Sequence, residues 1–130
     1  MKFKAEEIKL AIRLRELGIP WSVKPGIYIY DHDSKIKPGS PFQEHVYYLL
    51  DPGCFDDYFG SRDELQSSVT WLPTWRDARE KLAELKVENK RIAYHIAARN
   101  SLIKSTELLD LYELLESALT GETPDYATPL

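Results

Sequence analysis

Asp31, His32 and Asp33 stand side by side in the stretch Ile-Tyr-Ile-Tyr-Asp-His-Asp, residues 27–33, and His45 follows further along the chain. Carboxylates and imidazoles are the groups that hold divalent metals and move protons near neutral pH. Asp31, His32 and His45 would together make a two-histidine, one-carboxylate set, able in principle to hold iron or another divalent metal for hydrolysis. Local geometry argues against it. Successive residues of a strand point to opposite sides, so three neighbours converge on one ion only if the chain turns. No spaced motif such as His-Glu-x-x-His accompanies them, and polar residues commonly end a strand at a loop. A metal-dependent hydrolase using this Asp/His cluster is therefore the alternative reading, and no metal ligand, cofactor or catalytic residue is assigned.

The remaining reactive residue types give less. Asp51, Asp56 and Asp57 form an acidic, turn-rich segment without the ligand spacing of a calcium loop, which reads as a solvated loop. Cys54 is the single cysteine. Its acidic neighbours disfavour a thiolate, so it reads as a small packing residue. No Gly-x-Ser-x-Gly elbow and no glycine-rich phosphate loop occurs. His95 reads as a hydrogen-bonded histidine at a sheet edge or surface.

The elements that would position these groups follow from periodicity. Residues 4–17 carry Ile8, Ala11 and Ile12 at helical spacing, stopped by Gly18 and Pro20. Strands are expected at 26–31 and 45–50, joined by a long loop rich in Pro, Gly, Ser and Lys. Ser61 and Glu64 fit a capping box before a short helix at 62–67. A third strand is expected at 68–72. Thr74 and Asp77 open a helix with Trp75, Ala78, Leu82 and Leu85 on one stripe. Residues 91–97 alternate Ile92, Tyr94 and Ile96 and read as a fourth strand. The final helix, 106–119, has the broadest apolar stripe, and Gly121 ends it. A strand–helix–strand order from 68 to 97 suggests a right-handed parallel crossover.

The fold class expected is therefore α+β: a mixed, mainly antiparallel four-stranded sheet packed against about three helices. Residues 1–121 form one globular domain, and 122–130 form a loosely ordered tail.

Pairing Ile29 with Val46 and Ile27 with Tyr48 would put Ile27, Ile29, Val46, Tyr48 and Leu50 on the core face. Tyr28, Tyr30, His45, Tyr47 and Leu49 would then share the other. Tyrosines supply rigid contact area with a polar handle. Tyr28, Tyr30, His45 and Tyr47 are thus the expected binding residues of a non-catalytic module for protein interaction or self-association, its partner unknown.

Charge and composition bound the alternatives. The net charge is −4, distributed as +3 over 1–40, −5 over 41–70, +4 over 71–104 and −6 over 105–130. An acidic whole disfavours nucleic acid, whose binding rests on phosphate neutralisation. No apolar run has the length of a membrane span. One cysteine excludes an internal disulfide, which fits a cytoplasmic protein.

Overall fold

The computed structural model describes residues 1–37 and 39–126. In chain order the elements are α1 (Ala5–Glu16), β1 (Ile27–Tyr30), β2 (Val46–Leu49), a 3₁₀ turn (Pro52–Cys54), α2 (Asp56–Phe59), α3 (Arg62–Ser68), β3 (Thr70–Leu72), α4 (Trp75–Glu84), α5 (Asn89–Ala98), α6 (Ser101–Lys104) and α7 (Glu107–Thr120). The class is α+β, but the expected four-stranded mixed sheet packed against about three helices is wrong. Among the described residues there are seven α-helices and one three-stranded sheet, ordered β2-β1-β3 and antiparallel throughout. β3 returns beside β1 in the antiparallel sense, so no parallel crossover forms.

The missing strand is α5. Ile92, His95 and Arg99 are buried and Ile96 is half-buried, which is one stripe at i, i+3, i+4 and i+7. Tyr94, assigned to the same strand face as Ile92 and Ile96, is 61% exposed. Both periods fit the apolar residues of this stretch. The alanines at 93, 97 and 98 favour the helix, and α7 supplies the surface it packs against.

The strand register also departs from expectation by one residue. Ile27 lies opposite Leu49, Ile29 opposite Tyr47 and Tyr30 opposite Val46. Ile27, Ile29, Tyr47, Leu49 and Trp71 therefore share one face, and Tyr28, Tyr30, Val46, Tyr48, Thr70 and Leu72 share the other. Both faces are covered. Phe3, just before α1, meets Tyr28 edge-on at 5.4 Å on one side. Phe55 meets Tyr47 at 6.3 Å and Trp21 stacks on Trp71 at 6.3 Å on the other. A sheet buried on both sides need not alternate polar and apolar residues, so the sequence pattern left the parity open.

Local signals placed α1, α3, α4 and α7, while α2 and α6 were not expected. Thr74 Oγ1 accepts from Asp77 N at 3.2 Å while Asp77 Oδ2 accepts from Thr74 N at 3.1 Å, the reciprocal cap that starts α4. Replacing Thr74 by alanine is expected to lower stability by about 1 kcal/mol, read from the urea midpoint. Ser61 Oγ caps α3 through Glu64 N at 3.1 Å. Gly121, at φ 79°, closes α7 in the left-handed conformation that glycine accepts without strain.

α7 is the hub. Leu111, Tyr112, Leu114 and Leu115 are fully buried, and α1, α4, α5 and α6 all pack on this helix. Tyr112 donates its hydroxyl to the carbonyl of Pro73, tying α7 to the start of α4. No helix among the described residues is long and apolar enough to cross a membrane.

Candidate functional site

The Asp/His cluster does not converge. Asp31 is buried, and its Oδ2 accepts from Ile36 N at 2.9 Å, closing the loop after β1. His32 shares a hydrogen bond of 2.5 Å between Nε2 and Thr70 Oγ1. Its burial, then the nearby Arg15 charge, holds the imidazole below its ordinary pKa against the pull of Asp33 and Asp31. His45 sits at φ 66°, with Nδ1 3.3 Å from Ser34 Oγ and Nε2 3.5 Å from the exposed Glu44. Among the described residues no three His, Cys, Asp or Glu side chains come together as a metal-holding group. Asp31, His32 and His45 instead each hold a separate protein partner.

The expected binding residues separate by face. Tyr30 packs against His32 at 5.0 Å and His45 at 5.6 Å, and Tyr28 is wedged between Phe3 and Tyr48. Tyr47 lies on the opposite face, donating its hydroxyl to Ile36 O at 3.4 Å. All four of Tyr28, Tyr30, His45 and Tyr47 are half-buried. The single tyrosine surface that the expected register implied does not form.

Asp51 caps the 3₁₀ turn through Gly53 N at 3.1 Å, and Asp56 forms a two-pronged pair with Arg62 at 2.7 and 3.0 Å. Cys54 is exposed rather than packed. A hydrogen bond to the Asp51 carboxylate, reinforced by its charge, raises the thiol pKa, so the sulfur is held as the unreactive thiol.

The surface that sequence reasoning missed lies on the far helices. Leu102 is 71% and Ile103 80% exposed, adjacent on the single turn of α6. Asn100 and Ser105, both left-handed at φ 57° and 58°, bracket that turn and fix its direction. Beside it runs a hollow of about 220 Å³ lined by Trp75, Ile92, Ala93, Ile96, Leu102 and Leu111, with Arg79, Asn89 and Glu107 also on its walls. A second hollow of about 370 Å³ shares Ala93, Ile96 and Leu102 and extends to Ala97 and Ile103. Trp75, expected inside the α4 stripe, is 46% exposed here, with the Arg79 guanidinium over its ring at 4.9 Å. The signal available in the sequence was the pair Leu102-Ile103, flanked by Asn-Ser and Lys-Ser and belonging to no helical stripe.

A buried polar network holds this surface to α7. His95 is fully buried rather than at a sheet edge. Its Nε2 faces two acceptors, Asp110 O at 2.8 Å and Glu113 Oε1 at 3.2 Å, so it carries the proton, and Nδ1 accepts from the Tyr126 hydroxyl at 2.5 Å. Burial lowers the His95 pKa, and Arg99 adds to this; the Asp110 carbonyl and the Glu113 and Asp110 carboxylates oppose it. Arg99 grips Glu113 with Nε and Nη2 at 2.7 and 2.8 Å. Asp110 Oδ2 accepts from Ser101 and Thr106 at 2.5 and 2.6 Å, anchoring both ends of α6.

Of the stretch 122–130, expected to be loosely ordered, residues 122–126 run back over this network. Glu122 O accepts from Ser117 Oγ at 2.5 Å, Asp125 O accepts from Arg99 Nη1 at 3.1 Å, and the Tyr126 ring lies under the Arg99 guanidinium at 5.0 Å. Residues 127–130 lie outside the described residues.

No family model matches the chain, and comparison with curated proteins and with solved structures returns no significant match, so the site is read from its own geometry.

Proposed function

We propose that this protein is a non-catalytic protein-interaction module, at work in the reducing cytoplasm, that docks its partner on the α5–α6 surface rather than on the tyrosine side of the sheet. The observation that carries this reading is the pair Leu102 and Ile103, held side by side in water on a turn clamped by Asp110 and two left-handed residues. Leaving such side chains exposed forgoes about 1.5–3 kcal/mol each of burial. A contiguous apolar ridge beside an apolar hollow is the arrangement from which interface anchors are made. The candidate acid–base groups support the same reading, because hydrogen bonds within the fold already occupy them.

Ile103→Asp tests it. An exposed substitution on a surface turn is expected to change stability by no more than about 0.5 kcal/mol. Placing a charge on the ridge is expected to weaken docking at least tenfold, a difference of about 1.4 kcal/mol. Sedimentation over a concentration series reads self-association, and capture from the source cell, run in parallel for wild type and I103D, reads other partners. Association that I103D leaves undiminished overturns the α5–α6 site.

A further inference from the structure

Leu102 and Ile103 project from α6 with 71% and 80% of their surface in water. Leu102 is also a wall of both neighbouring hollows. Ile103 borders the larger one, of about 370 Å³, opposite Ala93, Ile96 and Ala97 of α5. Ala93 and Ala97 lie one turn apart on the exposed face of that helix, and their methyl groups are too short to fill the hollow from within. An aliphatic projection and a largely apolar recess thus stand side by side in one patch. Asn100 and Ser105, both left-handed, and the Asp110 bonds to Ser101 and Thr106 hold the projection in place. Anchors fixed before binding lower the ordering cost of a contact.

The same patch carries charge of both signs. Arg79 and Glu107 stand on the walls of the smaller hollow. Arg79 lies over the Trp75 ring at 4.9 Å, and among the described residues neither Arg79 nor Glu107 takes part in an ion pair. Their neighbours on α4 differ, since Arg76 pairs with Glu80 and Lys81 with Glu84. The matching occupant therefore offers a bulky aliphatic tip, a recess for Leu102 and Ile103, and one charge of each sign. This chain offers all of them on one surface. A twofold rotation sets such a patch against itself, so both recesses fill at once and the contact closes at two chains.

We propose that the α5–α6 surface binds a second copy of this chain about a twofold axis, an inference that rests on the docking reading given above. Leu102 and Ile103 of each copy seat in the hollow of the other, and Arg79 of each pairs with Glu107 of the other.

The test is sedimentation equilibrium of the full chain. Between about 5 and about 500 μM, wild type is expected to show a monomer–dimer equilibrium with a Kd on the order of 10 μM, as suits a small transient contact. Ile103→Asp is expected to raise that Kd at least tenfold. Arg79→Glu and Glu107→Arg each set like charges against one another at both ends of the contact, and each alone is expected to weaken the dimer at least tenfold. Mixed in equal amounts, the two variants restore opposite charges at both ends and are expected to associate as wild type does. That recovery requires two chains to meet at these residues, so no change within one chain produces it. Circular dichroism checks each fold; if a charge variant misfolds, wild type and I103D decide alone. Wild type that stays monomeric throughout, a dimer that I103D leaves intact, or a mixture of folded variants no better than each alone overturns the proposal. Monomeric wild type that still captures another protein through Ile103 refutes the second copy and leaves the docking site standing, whereas loss of both refutes the site itself.

Discussion

Replacing Arg99 by methionine is expected to lower the unfolding free energy by about 2 kcal/mol and to release the segment ending at Tyr126. Methionine keeps much of the stem's volume, so the packing loss is small. What goes is the two-pronged grip on Glu113, the donor to Asp125 O and the cation over the Tyr126 ring. Glu113 loses both guanidinium bonds and keeps only the His95 Nε2–H at 3.2 Å. The effect stays below that of a fully buried pair because Glu113 is 30% exposed and water can still solvate it. The urea midpoint measures the stability, and amide hydrogen exchange at Tyr126 measures the release. An unchanged midpoint with unchanged exchange would show that the pair is not the clamp.

Stability should also fall as the pH drops below about 6.5, and His95 should carry much of that fall. Burial holds the folded-state pKa of His95 below its ordinary value of 6.5, helped by Arg99 and opposed by Asp110 and Glu113. In the unfolded chain the imidazole titrates near its ordinary value and takes a proton that the folded state refuses. The stabilising contribution is therefore complete above the unfolded pKa and is lost as the pH falls from there towards the lowered folded value. His32 is shifted in the same direction by burial and Arg15, so the wild-type slope is shared. His95→Leu is expected to remove the His95 share and leave that of His32. Arg99→Met takes a positive charge away from His95, raises its folded pKa and should flatten the slope as well. Urea midpoints compared at about pH 7.5 and about pH 5.5 decide this. A His95→Leu slope equal to that of wild type would exclude His95 as the titrating group.

The two predictions concern the same piece of architecture. His95, Arg99 and Asp110 hold α5 and α6 against α7 and, through α6, hold Leu102 and Ile103 in water. Loss of Arg99 should therefore loosen the docking surface before it unfolds the sheet, whereas acid also reaches the sheet through His32, hydrogen-bonded to Thr70 of β3.

The amino-acid sequence by itself determined the local elements. The helical stripe stopped by Gly18, the Thr74–Asp77 cap, the Ser61 cap and the broad α7 stripe ending at Gly121 each specify a helix through contacts within a few residues. The tyrosine- and isoleucine-rich β1 and β2 were legible for the same reason. Tertiary structure alone decided the rest. Residues 91–97 suit either period, and only the presence of α7 makes the helix bury Ile92, His95 and Arg99. The β1–β2 register was undetermined because Phe3 covers one face of the sheet and Phe55 and Trp21 cover the other, so either parity buries apolar side chains. The exposure of Leu102 and Ile103 and the unpaired Trp71 Nε1 are facts about what fails to pack against a residue. Such facts depend on segments distant in the chain; the sequence offers only the hint that Leu102 and Ile103 fall outside any helical stripe.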